Sequence, residues 1–112
     1  MSETSELAPR RVAELLRDTD AQLVDVRTPE EHEAGRITGD EHIELSELAA
    51  EAGRLDRERP LVFYCRSGAR SAMATSAFRE AGFDAFNLAG GLLAWVEGGL
   101  PIEPEDGHVA TH

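Results

Sequence analysis

Lysine is absent from this chain of 112 residues, cysteine occurs once, and aromatic residues make up only 5% of the total. A lone cysteine, Cys65, excludes an internal disulfide framework and also a resolving cysteine on the same chain, so any thiol chemistry must finish on an outside molecule. The missing lysines leave arginine as the only strong base and carry no chemical implication of their own. Long apolar runs are missing too. Leu61 to Tyr64 is far too short to span a bilayer, and the opening MSETSELAPR has no apolar signal core, so a soluble cytoplasmic chain with no membrane partner is expected. Basic residues are outnumbered 22 to 11, for a formal charge of −11. A phosphate backbone would be repelled over most of such a surface, so nucleic acid is not an expected partner. The four histidines, His32, His42, His108 and His112, show no ligand spacing with Cys65. We therefore expect no metal and no cofactor, and place these histidines at the surface.

What remains is enough for one modest core and a single domain over residues 1–103. The segment 9–18, PRRVAELLRD, opens on proline at a first helical turn and gathers Val12, Leu15 and Leu16 on one face, which predicts a helix. QLVDV at 22–26 reads as a strand. Thr28, Pro29, Glu30 and Glu31 form a helix start that Gly35 ends. A weak strand at 42–44 and a short helix at 46–52, capped by Ser46 and stopped by Gly53, come next. Leu61 to Tyr64 is the strongest strand, its unbroken apolar character pointing to burial on both faces of a parallel sheet. The loop 65–70 leads to a helix at 71–81 with Met73, Ala74, Ala77 and Phe78 on one face. A strand at 85–88, a tight turn at Gly90 and Gly91, and a helix at 92–97 with Leu93, Trp95 and Val96 inward close the pattern. From Pro101 the chain reads as mostly disordered, with 104–112 a tail outside the domain. Alternating strands and helices imply an α/β fold with a mostly parallel sheet and helices on both faces, in which ligands bind at the carboxyl ends of strands. Cys65 falls at such an end.

The loop Cys65, Arg66, Ser67, Gly68, Ala69, Arg70, Ser71 joins a buried strand to a helix, so its amides can converge above the sulfur as an anion cradle. Gly68 lets the backbone curl. Helix N-terminus and the two guanidiniums of Arg66 and Arg70 are both expected to stabilise a thiolate and to bind an anion. A free thiol of pKa near 8.5 is about 3% thiolate at pH 7, whereas one near 6.5 would be roughly three-quarters thiolate. A lone cysteine is ordinarily a small buried hydrophobe, but cationic and polar neighbours at a strand-to-helix turn favour a nucleophile.

Three separated segments carry a family likeness: LVDVRTPEEHEAGRITG at 23–39, CRSGARS at 65–71 and LAGGLLAWVEGGLPIE at 88–103. Together they resemble the rhodanese homology domain over nearly the whole chain. The resemblance implies a five-stranded parallel sheet with flanking helices, with Cys65 as sulfur acceptor and 66–70 as its cradle. It also implies a sulfurtransferase that moves sulfane sulfur from a small donor such as thiosulfate to a thiol or protein acceptor through a Cys65 persulfide. Related phosphatases place five residues between cysteine and arginine. Here there are four, and Ser71 occupies the phosphatase position, so the smaller loop suits one sulfur better than a phosphoryl group. Phosphatase or arsenate reductase chemistry is the enzymatic rival. A protein-to-protein sulfur carrier and a non-enzymatic docking module are the others, the latter opposed by the retained cysteine. Where relatives commonly read glycine-histidine-isoleucine-proline-glycine-alanine, this chain has Gly35, Arg36, Ile37, Thr38, Gly39 and Asp40, and His42 and Glu44 replace the usual asparagine and proline. Asp25 and Arg27, in the first segment, are expected to form a supporting charge network with Glu31.

Overall fold

A computed structural model describes residues 4–111. Five strands, β1 (Glu6–Leu7), β2 (Gln22–Asp25), β3 (Glu41–His42), β4 (Leu61–Tyr64) and β5 (Ala85–Leu88), form one sheet in the order β1-β5-β4-β2-β3. Every pairing is parallel. Four helices, α1 (Pro9–Asp18), α2 (Pro29–Ala34), α3 (Ala69–Glu80) and α4 (Gly91–Glu97), cover it. This is the α/β architecture expected from the sequence. Among the described residues no helix is long and apolar enough to cross a membrane.

β4 lies at the centre, and all four of its residues are buried. Its side chains alternate between two cores. Leu61, Phe63 and then Cys65 join Val24, Val26, Leu48, Ala74 and Phe78 on one side. Val62 and Tyr64 join Val12, Leu23, Leu88, Leu92 and Trp95 on the other. Each fully buried aliphatic or aromatic side chain contributes about 1.5–3 kcal/mol, which is why a four-residue strand can fix the middle of the sheet. From β4 the chain continues toward β5, whereas from β2 it proceeds the opposite way to β3. The order therefore reverses between β2 and β4, and their carboxyl ends border a crevice.

Several local expectations change. The edge strand β1 was not anticipated from periodicity, since two residues carry none. The segment 46–52 is not a helix but a run of turns containing 3-10 pieces at Leu45–Glu47 and Ala52–Arg54. Ser46 makes no capping bond there. Leu45 N donates to Val26 O at 3.0 Å while Leu48 and Leu55 are drawn inward, so tertiary anchoring overrides local helix propensity. α3 begins at Ala69, two residues early, which puts Arg70 and Ser71 in its first turn. Met73 and Val96, expected inward, are 60% and 41% exposed, and Leu92 rather than Leu93 is fully buried. The segment from Pro101, expected to be a disordered tail, packs against the body. Trp95 Nε1 donates to Pro101 O at 2.8 Å, Arg36 and Glu103 exchange backbone hydrogen bonds, and His108 N donates to Ala34 O at 2.9 Å. Val109 rests on the second core.

Candidate active site

Cys65 leaves the end of β4 with its sulfur pointing into the mouth of α3. The sulfur accepts hydrogen bonds from Gly68 N at 3.1 Å, Ser71 N at 3.4 Å and Ser71 Oγ at 3.3 Å. Burial is the largest single influence on the thiol and raises its pKa, but the Ser71 hydroxyl and the amides of Ser71, Gly68 and Ser67 together outweigh it and bring the pKa below the ordinary value. Loop amides and a hydroxyl therefore converge on the sulfur. These neutral donors are the largest influences lowering its pKa, and the Arg70 guanidinium interacts with it electrostatically. Gly68 sits at φ +104°, in the left-handed region that a side chain disfavours, and this turn aims its amide at the sulfur.

The rear of the loop is fixed by α4. Leu92 N donates to Cys65 O at 2.9 Å and Leu93 N to Arg66 O at 3.1 Å. In a trans peptide the C=O and the following N–H point opposite ways, so drawing these carbonyls backward turns the Arg66 and Ser67 amides forward. Close approach demands glycine at Gly91, where a Cβ would lie 2.6 Å from Cys65 O and closer still to Arg66 O, at φ +63°. Asn87, buried in β5, donates to Gly68 O at 3.2 Å and to both Glu6 carboxylate oxygens at 3.1 Å. Asn87 was not anticipated. A polar residue in an otherwise apolar strand was its only signal.

The charged residues of the expected network gain a further member in Arg70. Arg27 and Asp25 are both fully buried. Arg27 Nε donates to Asp25 Oδ1 at 2.8 Å, and Nη2 donates to Asp25 Oδ2 at 2.6 Å and to Gly35 O at 2.7 Å. Glu31 adds its field to Arg27 and accepts two bonds from Arg70, at 2.8 and 2.9 Å. It also forms the capping box with Thr28 that starts α2. Burial would raise the Glu31 pKa, but Arg70 and Thr28 hold it down at about 2. Arg70 is thus committed to a carboxylate. Arg66 has no ion pair among the described residues, and its Nε is buried without a hydrogen-bond partner. Ser67 and Ala69 are exposed at the mouth.

His32 and His42, expected as plain surface residues, are half-buried and engaged. His32 Nδ1 lies 2.9 Å from Asp25 Oδ2 and 3.7 Å from Asp40 Oδ2, His42 Nε2 lies 2.7 Å from Arg27 O, and the two rings stack at 4.5 Å. Tyr64 OH donates to Asp40 Oδ2 at 2.6 Å. Asp40 and His42, two of the departures noted in the sequence, are therefore parts of one cluster. Asp25, His32 and Asp40 bring ligand atoms within 4.8 Å of one another. A cation among them would compete with the Arg27 guanidinium already bound to both Asp25 oxygens, so the chemistry of the set is that of a charge network.

The class is that of a parallel α/β sheet whose switch point places one cysteine sulfur among loop amides and a hydroxyl. The rhodanese-like domain model matches residues 8–98, and the chain belongs to that family. It is 35% identical to a sulfurtransferase of Allochromatium vinosum, over 92% of this chain and 98% of that protein. It is 37% identical to the thiosulfate sulfurtransferase GlpE of Pseudomonas aeruginosa, over 85% of this chain and 87% of that one. A crystal structure of a rhodanese-related protein from Thermoplasma volcanium superposes with a TM-score of 0.81 at 28% identity, covering 87% of this chain and 95% of that chain.

Proposed function

We propose that this chain is a sulfurtransferase in which Cys65 carries sulfane sulfur as a persulfide between a small donor, thiosulfate or a related compound, and a thiophilic acceptor. The observation that carries the reading is the sulfur of Cys65 ringed by Gly68 N, Ser71 N and Ser71 Oγ at 3.1 to 3.4 Å. The thiolate attacks the outer sulfur of thiosulfate, a Cys65–sulfur bond forms, the donor's S–S bond breaks, and sulfite leaves with the electron pair. The new terminal sulfur is anionic and suits the amide ring. Arg66, with its unsatisfied Nε, is the guanidinium available to a sulfonate. Arg70, held by Glu31, positions the first turn of α3. The hydrogen bonds that lower the thiol pKa take over the task a general base would otherwise perform. A second nucleophile, cyanide in an assay or a thiol in the cell, then removes the outer sulfur.

Two features speak for sulfur transfer over phosphoryl transfer. The arginine separated from the cysteine by four residues turns aside to Glu31, and the next position is a serine whose hydroxyl donates to the sulfur. The test is intact mass before and after thiosulfate, then after cyanide. A gain of about 32 mass units that requires Cys65 and leaves as thiocyanate is the expected result. Absence of any gain with thiosulfate and with polysulfide donors would overturn the reading.

A further inference from the structure

An apolar groove of about 250 Å³ runs between the turn segment after β3 and the face of α3, lined by Leu45, Leu48, Met73, Ala77 and Phe78. Helix α3 links it to the cradle: Ala74 lies in its wall, and Ser71, about one turn earlier in the same helix, donates to the Cys65 sulfur. Met73, three residues after Arg70, presents a flexible thioether surface at 60% exposure, the larger of the two exposures among the big apolar side chains. The volume would hold one or two aliphatic side chains.

Acidic residues lie next in sequence to this lining. Glu44 and Glu47 flank Leu45, Glu80 follows Ala77 by one helical turn, and none of the three forms an ion pair among the described residues. The arginines of α3 are occupied elsewhere, Arg70 with Glu31 and Arg79 with Ala85 O. A chain of net charge −11 adds a long-range field of the same sign. A small anionic thiol gains nothing from such a surface.

We propose that the groove docks the sulfur acceptor, and that this acceptor is a protein segment with aliphatic side chains flanked by lysine or arginine, its thiol delivered to Cys65. The proposal rests on the sulfurtransferase reading and names its partner. In the step itself the acceptor thiol loses its proton to solvent and its thiolate attacks the outer sulfur. The Cys65–sulfur bond breaks, and Cys65 departs as the thiolate that the cradle stabilises.

The experiment uses the full chain loaded with sulfur and short single-cysteine peptides: one rich in leucine and lysine, one in leucine and glutamate, one in serine and lysine. Transfer to the leucine–lysine peptide should exceed transfer to either of the others by about tenfold or more and weaken with added salt. Met73→Ser should remove about tenfold of that preference through KM, with loading of Cys65 from the donor unchanged. The double variant Glu47→Lys with Glu80→Lys should invert the charge preference. Equal rates with all peptides, or no response to these variants while loading stays intact, would overturn the groove proposal alone. If Cys65 takes up sulfur from no donor, both readings fall. Self-association of the wild type in sedimentation that Met73→Ser abolishes would assign the groove to a second copy of this chain and overturn the proposal.

Discussion

Two neighbouring strand ends handle negative charge in opposite ways. At the end of β4 the Cys65 sulfur is held by amides and a hydroxyl that carry no net charge. One strand away, after β2, the carboxylates of Asp25 and Glu31 are matched by the guanidiniums of Arg27 and Arg70. The first arrangement lowers a pKa without holding the sulfur in an ion pair. The second locks its anions into structure, because breaking a buried ion pair leaves an uncompensated charge. Reactivity and rigidity are thus built side by side from different donors.

The contrast can be broken most completely at the sulfur. Cys65→Ser should abolish sulfur loading while leaving the circular dichroism spectrum and cooperative unfolding intact, as judged by intact mass and thermal melts. Next in size is Gly91→Ala, which drives a methyl group into the Cys65 and Arg66 carbonyls from a left-handed position. It should cost about 2–4 kcal/mol of stability and slow loading roughly 100-fold by swinging the amides off the sulfur, both measurable on one protein preparation.

On the ion-paired side, Glu31→Gln should cost about 2 kcal/mol at neutral pH in urea titrations, the order expected for charge-assisted bonds in a buried pair. The pH dependence has a definite sign. Because the folded pKa of Glu31 is about 2, below the ordinary 4.5, its stabilisation is fully present above about 4.5 and is lost as pH falls toward about 2. Wild type and variant should therefore converge in stability across that window. Ser71→Ala is milder, removing one donor worth about 1 kcal/mol. Loading at pH 7 should drop about threefold to tenfold, and the pH of half-maximal rate should move upward, since less thiolate is present.

The smallest effect belongs to Asp40→Asn. Burial raises the Asp40 pKa more than the Tyr64 hydroxyl and His32 lower it, so this acid, unlike Glu31, destabilises the fold as pH rises past its unfolded value. Asparagine keeps an acceptor for Tyr64 OH. The variant should differ from wild type by under about 1 kcal/mol at neutral pH, with its curve flatter between mild acid and neutrality.

How much of this was readable from the chain follows from the same division. The cradle lies within seven consecutive residues, so the strand, Cys65, Gly68 and the helix start were legible as one motif, and the buried β4 announced itself by composition. Elements set by distant partners were not. The Arg70 to Glu31 bond spans 39 residues, and Asn87 to Glu6 spans 81. A guanidinium near a cysteine looks like an anion site until its carboxylate is located. The 46–52 segment carried helix propensity but is governed by where Leu45, Leu48 and Leu55 must land. The tail beyond Pro101 looked polar and loose because its backbone bonds reach Arg36 and Ala34, partners far away in sequence that local composition cannot announce.

Holding the cradle from behind has a consequence in time. The loop amides face the sulfur only when the amides of Leu92 and Leu93 have taken the Cys65 and Arg66 carbonyls, and Gly68 O is steadied by Asn87. During synthesis Cys65 emerges well before those residues. The carbonyls of Cys65 and Arg66 find their partners only once α4 has been made and docked, so the loop is completed by residues that follow it in the chain.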